Sequence, residues 1–402
     1  MTWLRPHRLR PYVWNLPEIA MIILAHNRYR SSSPSGENIV QEREQALLSA
    51  AGVTVQPWLL ESDDLVRAGR LAQLRAAWQL AGSPARVRAF VAALGRWRDQ
   101  GATLIHLHNP WPLFTYDLVL AAREVGLPVV QTLHNYRLVG TNNHLVRNAR
   151  LEQASTAADR LVLARMANNH PRLANLAYNR ALARWWNRGV LQIAVSRYLC
   201  LTSFQQRLMV QAGIPAERTE VVPNFLDHHG PVGTGPGDYA LFVGRLDHTK
   251  GIDRLMRWWP QNGPHLRVVG DGPLAGVVQG HPRITAVGRR SFADVQALMA
   301  GARFLVMAST WYEGFPLVLI EALAAGTPCL VPDLGGMPDI IRAGETGAVY
   351  PPDDPDAAAQ GARDLWEVAP ALRPACRSTY EANYTPERHL AALRTVYAAV
   401  GA

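Results

Sequence analysis

Two stretches in the second half of the chain hold residue types suited to a phosphorylated leaving group. In GRLDHTKG, Gly244–Gly251, Arg245 and Lys250 follow the apolar run ALFV and border the start of a helical pattern. Cations beside unpaired helix N–H groups form a place where a diphosphate is held. Lys250 is also the only lysine among 41 basic side chains. Where every other positive charge is a planar guanidinium, a lone ammonium indicates that a compact three-donor charge is wanted. The competing reading is a solvated charge at a helix start.

The second stretch is WYEGFPLVLIEALAAGTP, Trp311–Pro328. Pro316 suits a first helical position and Gly326 a C-terminal stop, which predicts a helix over 316–325 with its free N–H groups facing a ligand. Glu313 precedes this helix and Glu321 lies inside it. At that spacing both carboxylates can face one ligand, one near a sugar's reacting end and the other accepting from a ribose diol. Taken alone, Glu321 reads as a helix residue paired with an arginine. Asp354 and Asp356 have the Asp-x-Asp spacing of a metal site, but their Pro-rich loop reads as a helix cap. With Arg245, Lys250 and a helix start to neutralise a diphosphate, no metal and no cofactor is expected. The sequence lacks a Gly-x-x-x-x-Gly-Lys-Ser/Thr loop, which excludes that class of NTPase.

These residues need a scaffold, and 402 residues suffice for two or three domains. With 48% hydrophobic and 18% charged residues the composition is globular. The longest apolar runs fall short of the ~20 residues of a membrane-spanning helix. Cys200, Cys329 and Cys376 have no C-x-x-C spacing, so neither a disulfide framework nor a zinc knuckle is expected, and a reducing, cytoplasmic setting is. Residues 1–200 carry 24 arginines against 12 acids, whereas residues 201–402 carry 17 basic side chains against 20 acids. The basic front half predicts contact with something anionic: a membrane surface, a phospholipid-linked substrate or nucleic acid. A chain-wide arginine bias explains the same numbers.

Periodicity alternates between strands and helices. The first nineteen residues are basic and aromatic, lack an apolar core of signal-peptide length, and are left outside the fold. Strands are expected at Met21–Asn27, Val53–Leu60, Thr103–Leu107 and Pro128–Leu133, with helices over Glu37–Ala51 and Phe114–Val125. Leu145–Gly189 reads as largely helical and Arg-rich, followed by a strand at Leu191–Val195. Its Trp185 and Trp186 suit either an anionic membrane surface, which they would meet at headgroup level, or a packed helix face. Gly and Pro crowd after Val222 and mark a linker. A second series follows, with strands at Tyr239–Val243, His265–Val269, Arg303–Met307 and Pro328–Val331, and helices from Gly251 and Phe292. Two α/β domains of this kind bind ligands beyond the carboxyl ends of their strands.

The motifs G-R-L-x-x-x-K-G, V-G-D-G-P at Val269–Pro273 and E-G-F-P-L-x-x-x-E-A-L-A-x-G-x-P, in this order, resemble the retaining glycosyltransferases of family 4. The resemblance runs over most of residues 21–402. It implies the GT-B fold: α/β, with two Rossmann-like doubly wound domains facing a cleft and a C-terminal helix crossing back to the first. The corresponding division is an extension 1–20, an acceptor-binding domain 21–224, a linker 225–237, a donor-binding domain 238–384 and the returning helix 385–402. The resemblance implies that Arg245 and Lys250 bind the donor diphosphate, that Glu321 holds the ribose and that Glu313 contacts the donor sugar. It places Gly270, Asp271, Arg289, Gly314, Phe315, Pro316 and Leu317 around the donor, with Gly36 near its phosphate. His134 would line the reacting centre, and Asn109, Asn135, Tyr136 and Arg137 the acceptor side. His106 and His108 read instead as satisfied sheet-end histidines. The implied activity moves a sugar from a UDP or GDP donor to a hydroxyl of a glycan or lipid-linked acceptor, in cell-envelope or exopolysaccharide synthesis. Such an enzyme would work in the cytoplasm, at the inner face of the plasma membrane where it meets anionic lipid. An epimerase or phosphorylase on the same fold and a non-catalytic binding protein remain as alternatives. Nucleic acid is not an expected partner, because the basic charge is spread over several helices without a recognised motif.

Overall fold

The computed structural model describes residues 21–29, 31, 36–140, 146–147, 150–151, 172–235 and 237–401. The extension 1–20, most of the loop before Gly36 and residues 152–171 of the Arg-rich stretch lie outside them.

The first lobe is built on β1 (Met21–Arg28), β2 (Thr54–Glu61), β3 (Ala102–Leu107) and β4 (Val129–Leu133). A small antiparallel hairpin pairs β5 (Val146–Arg147) with β6 (Arg150–Leu151). With β7 (Arg197–Cys200) and β8 (Thr219–Val221) the large sheet has the parallel order β2-β1-β3-β4-β7-β8. The second lobe repeats the plan with β9 (Ala240–Val243), β10 (Leu266–Val269), β11 (Ile284–Gly288), β12 (Phe304–Val306), β13 (Cys329–Pro332) and β14 (Gly347–Tyr350). Its parallel order is β11-β10-β9-β12-β13-β14. The near-continuous apolar runs of β1 and β13 are buried along almost their whole length, as strands covered by helices on both faces must be.

The expected strand at Leu191–Val195 is instead a helical turn, Val190–Ile193, and the strand begins at Arg197. Val190 and Leu191 are buried while Ile193 is exposed, a spacing that fits a turn of helix and not a pleat. Three strands of the two large sheets went unread: β8 is only three residues long. β11 is an exposed edge with only Ile284 buried, and β14 is four residues long and opens with Gly347. The stretch expected to be helical from Leu145 begins with the β5–β6 hairpin, and its described helix is Arg172–Asn187.

Asp354 caps a long helix, Pro355–Asn383, by accepting from Ala357 N at 2.9 Å, so the Asp-x-Asp pair is a helix start, as its Pro-rich setting suggested. The next helix, Pro386–Ala399, leaves the second lobe. Its Leu393, Val396 and Tyr397 pack with Ile22, Leu104 and Val130 of the first sheet, Leu48 of the helix Gly36–Ala50 and Val222 just after β8. Leu393→Ala should therefore cost about 2–5 kcal/mol by emptying a fully buried site. Chemical denaturation reads this directly, and an unchanged midpoint would show that the helix is not part of the first lobe's core.

Candidate active site

The loops beyond the carboxyl ends of the two sheets face each other, and the lobes touch there. A Cβ on Gly314 would lie 2.4 Å from the His134 carbonyl oxygen, so only glycine lets the two backbones come this close. The Tyr136 hydroxyl donates to the Glu313 carbonyl at 2.8 Å. Phe204 stacks on Tyr312 with ring centroids 5.5 Å apart, and its N–H donates to Asp339 Oδ2 at 2.6 Å.

On the donor side, Lys250 Nζ donates to Glu313 Oε1 at 2.7 Å, and the Ser309 hydroxyl donates to the same oxygen at 2.7 Å. Burial would raise the Glu313 carboxyl, but Lys250 and Ser309 outweigh it and hold the group below the ordinary carboxylate range. The ammonium keeps two further N–H donors. Beside it opens a cavity of about 260 Å³ lined by Gly244, Lys250, Ser309, Pro316, Leu317 and Glu321. Burial pushes the Glu321 carboxyl up, opposed by Arg43 from the first lobe. Pro316 is the cap of the helix Leu317–Ala324 and lies one position before its first turn, not in it. Gly314 and the buried Phe315 complete that approach.

The loop carrying Lys250 is shaped by Asp247, whose Oδ1 accepts from the N–H groups of Thr249 and Lys250, each at 3.0 Å. Gly251, at φ 68°, has no room for a Cβ, which would fall 1.8 Å from the Ala308 carbonyl oxygen. Gly270 is equally constrained, with a Cβ position 1.9 Å from the Gly244 carbonyl oxygen. Arg245 does not line the cavity; it is turned to Asp247 Oδ2 at 3.0 Å and is largely exposed. Asp271 and Arg289 are exposed at the loop ends beyond β10 and β11. Arg43 was not singled out from the sequence. Its guanidinium lies 6.0 Å over the Phe292 ring of the other lobe, and one of its nitrogens is enclosed without a hydrogen-bond partner among the described residues. A helix arginine amid thirty-nine others gives no signal of this.

On the acceptor side the expected residues divide. Asn109 is occupied by its own loop, donating to the Asn27 carbonyl at 2.9 Å and accepting from Trp111 N at 3.1 Å. Tyr136 is buried and joins the lobes. Asn135 donates to Glu37 Oε1 at 3.0 Å, and the Arg137 guanidinium lies 5.2 Å over the Tyr178 ring. Gly36 is the first residue of the helix Gly36–Ala50 and would have open space around a Cβ. His134 is half-buried, with Nε2 at 2.8 Å from His108 Nδ1.

Trp185 and Trp186 do not reach a surface layer: their indole N–H groups donate to Leu80 O and Leu138 O, each at 3.0 Å, and Trp185 is fully buried. Among the described residues, one group of His and carboxylate atoms converges closely enough to suit a metal: Glu44, His106 and His108. Glu44 Oε1 stands 2.9 Å from His106 Nδ1 and is hydrogen-bonded to His108 Nε2 at 3.1 Å, while His106 Nδ1 also meets the Tyr397 hydroxyl at 2.7 Å. No helix among the described residues is long and apolar enough to cross a membrane.

Comparison with known proteins agrees with this geometry. The sequence family described as Glycosyltransferase Family 4 matches residues 46–229, and that described as Glycosyl transferases group 1 matches residues 237–367. Glycogen synthase of Mycobacterium tuberculosis is 26% identical over 318 residues, which cover 75% of this chain and 70% of that protein. The GDP-mannose-dependent alpha-mannosyltransferase of the same organism is 31% identical over 170 residues, 41% of this chain and 43% of its own. Among solved structures, Anabaena HepE in complex with UDP and glucose superposes with a TM-score of 0.61 at 16% identity, covering 94% of this chain and 99% of the other, which establishes the shared fold. Two six-stranded parallel sheets, a cleft holding the group 1 motifs and both family matches make this chain a member of glycosyltransferase family 4, an enzyme of the GT-B fold.

Proposed function

We propose that the enzyme moves a sugar from a UDP or GDP donor to a hydroxyl of a glycan or lipid-linked acceptor, with retention at the anomeric carbon, in cell-envelope or exopolysaccharide assembly. The observation that carries this reading is the Lys250 ammonium, held by Glu313 at 2.7 Å at the edge of a cavity that Glu321 also lines. A nucleoside diphosphate fits this arrangement: its ribose diol donates to Glu321 and its phosphates meet Lys250 and the N–H groups after Pro316. Arg245 joins them by exchanging Asp247 for phosphate. HepE, bound to UDP and glucose, and a GDP-mannose-dependent relative keep both bases in view.

Departure of the diphosphate builds negative charge and leaves an oxocarbenium-like sugar. Positive groups fixed beforehand stabilise the first in a partly dry site. The acceptor hydroxyl attacks from the leaving-group face and gives its proton to the departing phosphate oxygen, while Glu313 and His134 orient the sugar. Neutralisation by side chains and helix N–H groups makes the proposed transfer independent of a metal.

Lys250→Ala should weaken donor binding by about 10- to 100-fold, the worth of a charge-assisted contact. Glu321→Ala should act in the same direction, whereas Glu313→Ala should chiefly lower turnover. Isothermal calorimetry with UDP- and GDP-sugars, together with initial rates, separates these effects, and normal turnover in all three would sink the assignment. Consumption of donor without an added acceptor would instead favour an epimerase or a phosphorylase. Turnover with the preferred donor should survive excess EDTA, and its loss, restored by Mg2+ or Mn2+, would contradict the metal-free reading.

For the membrane contact we propose a different element from the one the sequence suggested. On the helix Gly69–Gln79, Leu71, Leu74 and Trp78 are 84%, 67% and 88% exposed, flanked by exposed Arg67, Arg70 and Arg75. An apolar stripe edged by arginines suits an anionic headgroup layer. The protein should sediment with phosphatidylglycerol vesicles and not with phosphatidylcholine alone, and a Leu71→Ser, Leu74→Ser, Trp78→Ser variant should stay in the supernatant.

A further inference from the structure

Behind His134 a line of buried groups runs through the first lobe to the C-terminal helix. His134 Nε2 meets His108 Nδ1 at 2.8 Å, and the two ring planes lie within 14°. His108 Nε2 meets Glu44 Oε1 at 3.1 Å. Glu44 Oε2 meets His389 Nε2 at 3.0 Å, and His389 Nδ1 meets the Pro223 carbonyl at 2.9 Å. His106 Nδ1 lies 2.9 Å from Glu44 Oε1 and 2.7 Å from the Tyr397 hydroxyl, and its Nε2 is 2.8 Å from the Thr132 hydroxyl. His26 approaches His108 edge-on at 6.1 Å and bonds Asn38 at 2.9 Å.

We propose that Glu44, acting through His108 and neutralised by His389, fixes His134 as the Nε2–H tautomer, so that a bare Nδ1 is available to accept from a hydroxyl of the bound sugar. The last clause rests on the function proposed above; the tautomer itself does not.

The protons can be followed along the line. A carboxylate and a peptide carbonyl only accept. Both nitrogens of His389 face such acceptors, so both carry hydrogen, and His389 is the cation that compensates Glu44. His108 therefore needs no charge of its own. It gives Nε2–H to Glu44, and its Nδ1 is left to accept, which obliges His134 Nε2 to donate. Were His108 an imidazolium, the same 2.8 Å contact would run the other way and His134 would carry its hydrogen on Nδ1. Burial, with the neighbouring histidines, holds both His108 and His134 below the usual imidazole range, in keeping with two neutral rings. His134 Nδ1 has no hydrogen-bond partner among the described residues and is not one of the enclosed polar atoms. Glu44, His108 and His389 are positioning residues, since each acts on the sugar only through His134.

Two-bond 1H–15N correlation spectra of the full-length 15N-histidine-labelled protein test this, with His134→Gln used for assignment. The expected result at neutral pH is a protonated Nε2 and an unprotonated Nδ1 on His134. Glu44→Leu should scramble that pattern and lower kcat about tenfold with the donor KM within twofold. Glu44→Gln should restore both, because its amide oxygen can still accept from His108 while its NH2 faces a neutral His389. A wild-type His134 carrying hydrogen on Nδ1, or on both nitrogens, overturns the proposal without any variant having to fold. So does an unaltered His134 pattern in a folded Glu44→Leu protein. If the tautomer follows Glu44 while kcat does not, the relay stands and it is the sugar contact, with the function reading behind it, that fails.

Discussion

Glu313 is held from both lobes at once. Its side chain accepts from Lys250 and Ser309 of the second lobe, and its main-chain carbonyl accepts from Tyr136 of the first. A carboxylate this far from water is tolerable only with a cation at hydrogen-bond distance, so Lys250 is part of what closes the cleft, apart from the ligand role proposed for it. The residue that orients charge in the site is therefore also the point where the lobes meet. Gly314, next in sequence, supplies the missing side chain that lets the His134 backbone come close.

The second lobe was largely legible from residue types. Apolar runs ended by Gly-rich loops gave β9, β10, β12 and β13 nearly to the residue, and the constraint on Gly251 and Gly270 explains why those loops are spelled with glycine. What could not be read was direction. Arg245 and Asn109 have the chemistry expected of ligand contacts, yet one is turned to Asp247 and the other is occupied by its own loop. A side chain's partner is decided by the backbone it folds beside, and neither sequence spacing nor residue type contains that.

The histidines illustrate the same limit over a longer range. Glu44 meets His108 across 64 positions and His389 across 345. In the sequence Glu44 is one more acid on an amphipathic helix, and His106 and His108 alternate on a strand as satisfied core histidines would. They are satisfied, but by Thr132, His134, Glu44 and Tyr397, the last on a helix from the far end of the chain. Local periodicity cannot register a contact that exists only once that helix has returned. Trp185 and Trp186 show the converse: their spacing suited either a membrane face or a packed helix face, and their hydrogen bonds to Leu80 and Leu138 select the packed one.

The returning helix means that the chain passes between the lobes twice, near Val222–Tyr239 and again near Tyr384–Thr385. These two passages are bonded to each other. Leu226 N–H donates to the Tyr384 carbonyl at 2.9 Å, and the Tyr380 hydroxyl donates to the Leu226 carbonyl at 2.7 Å. Two straps fastened side by side behave mechanically as one doubled leaf: they bend readily across their width and resist torsion about their length. A hinge between the lobes would have to bend both passages together, since neither can move without the other.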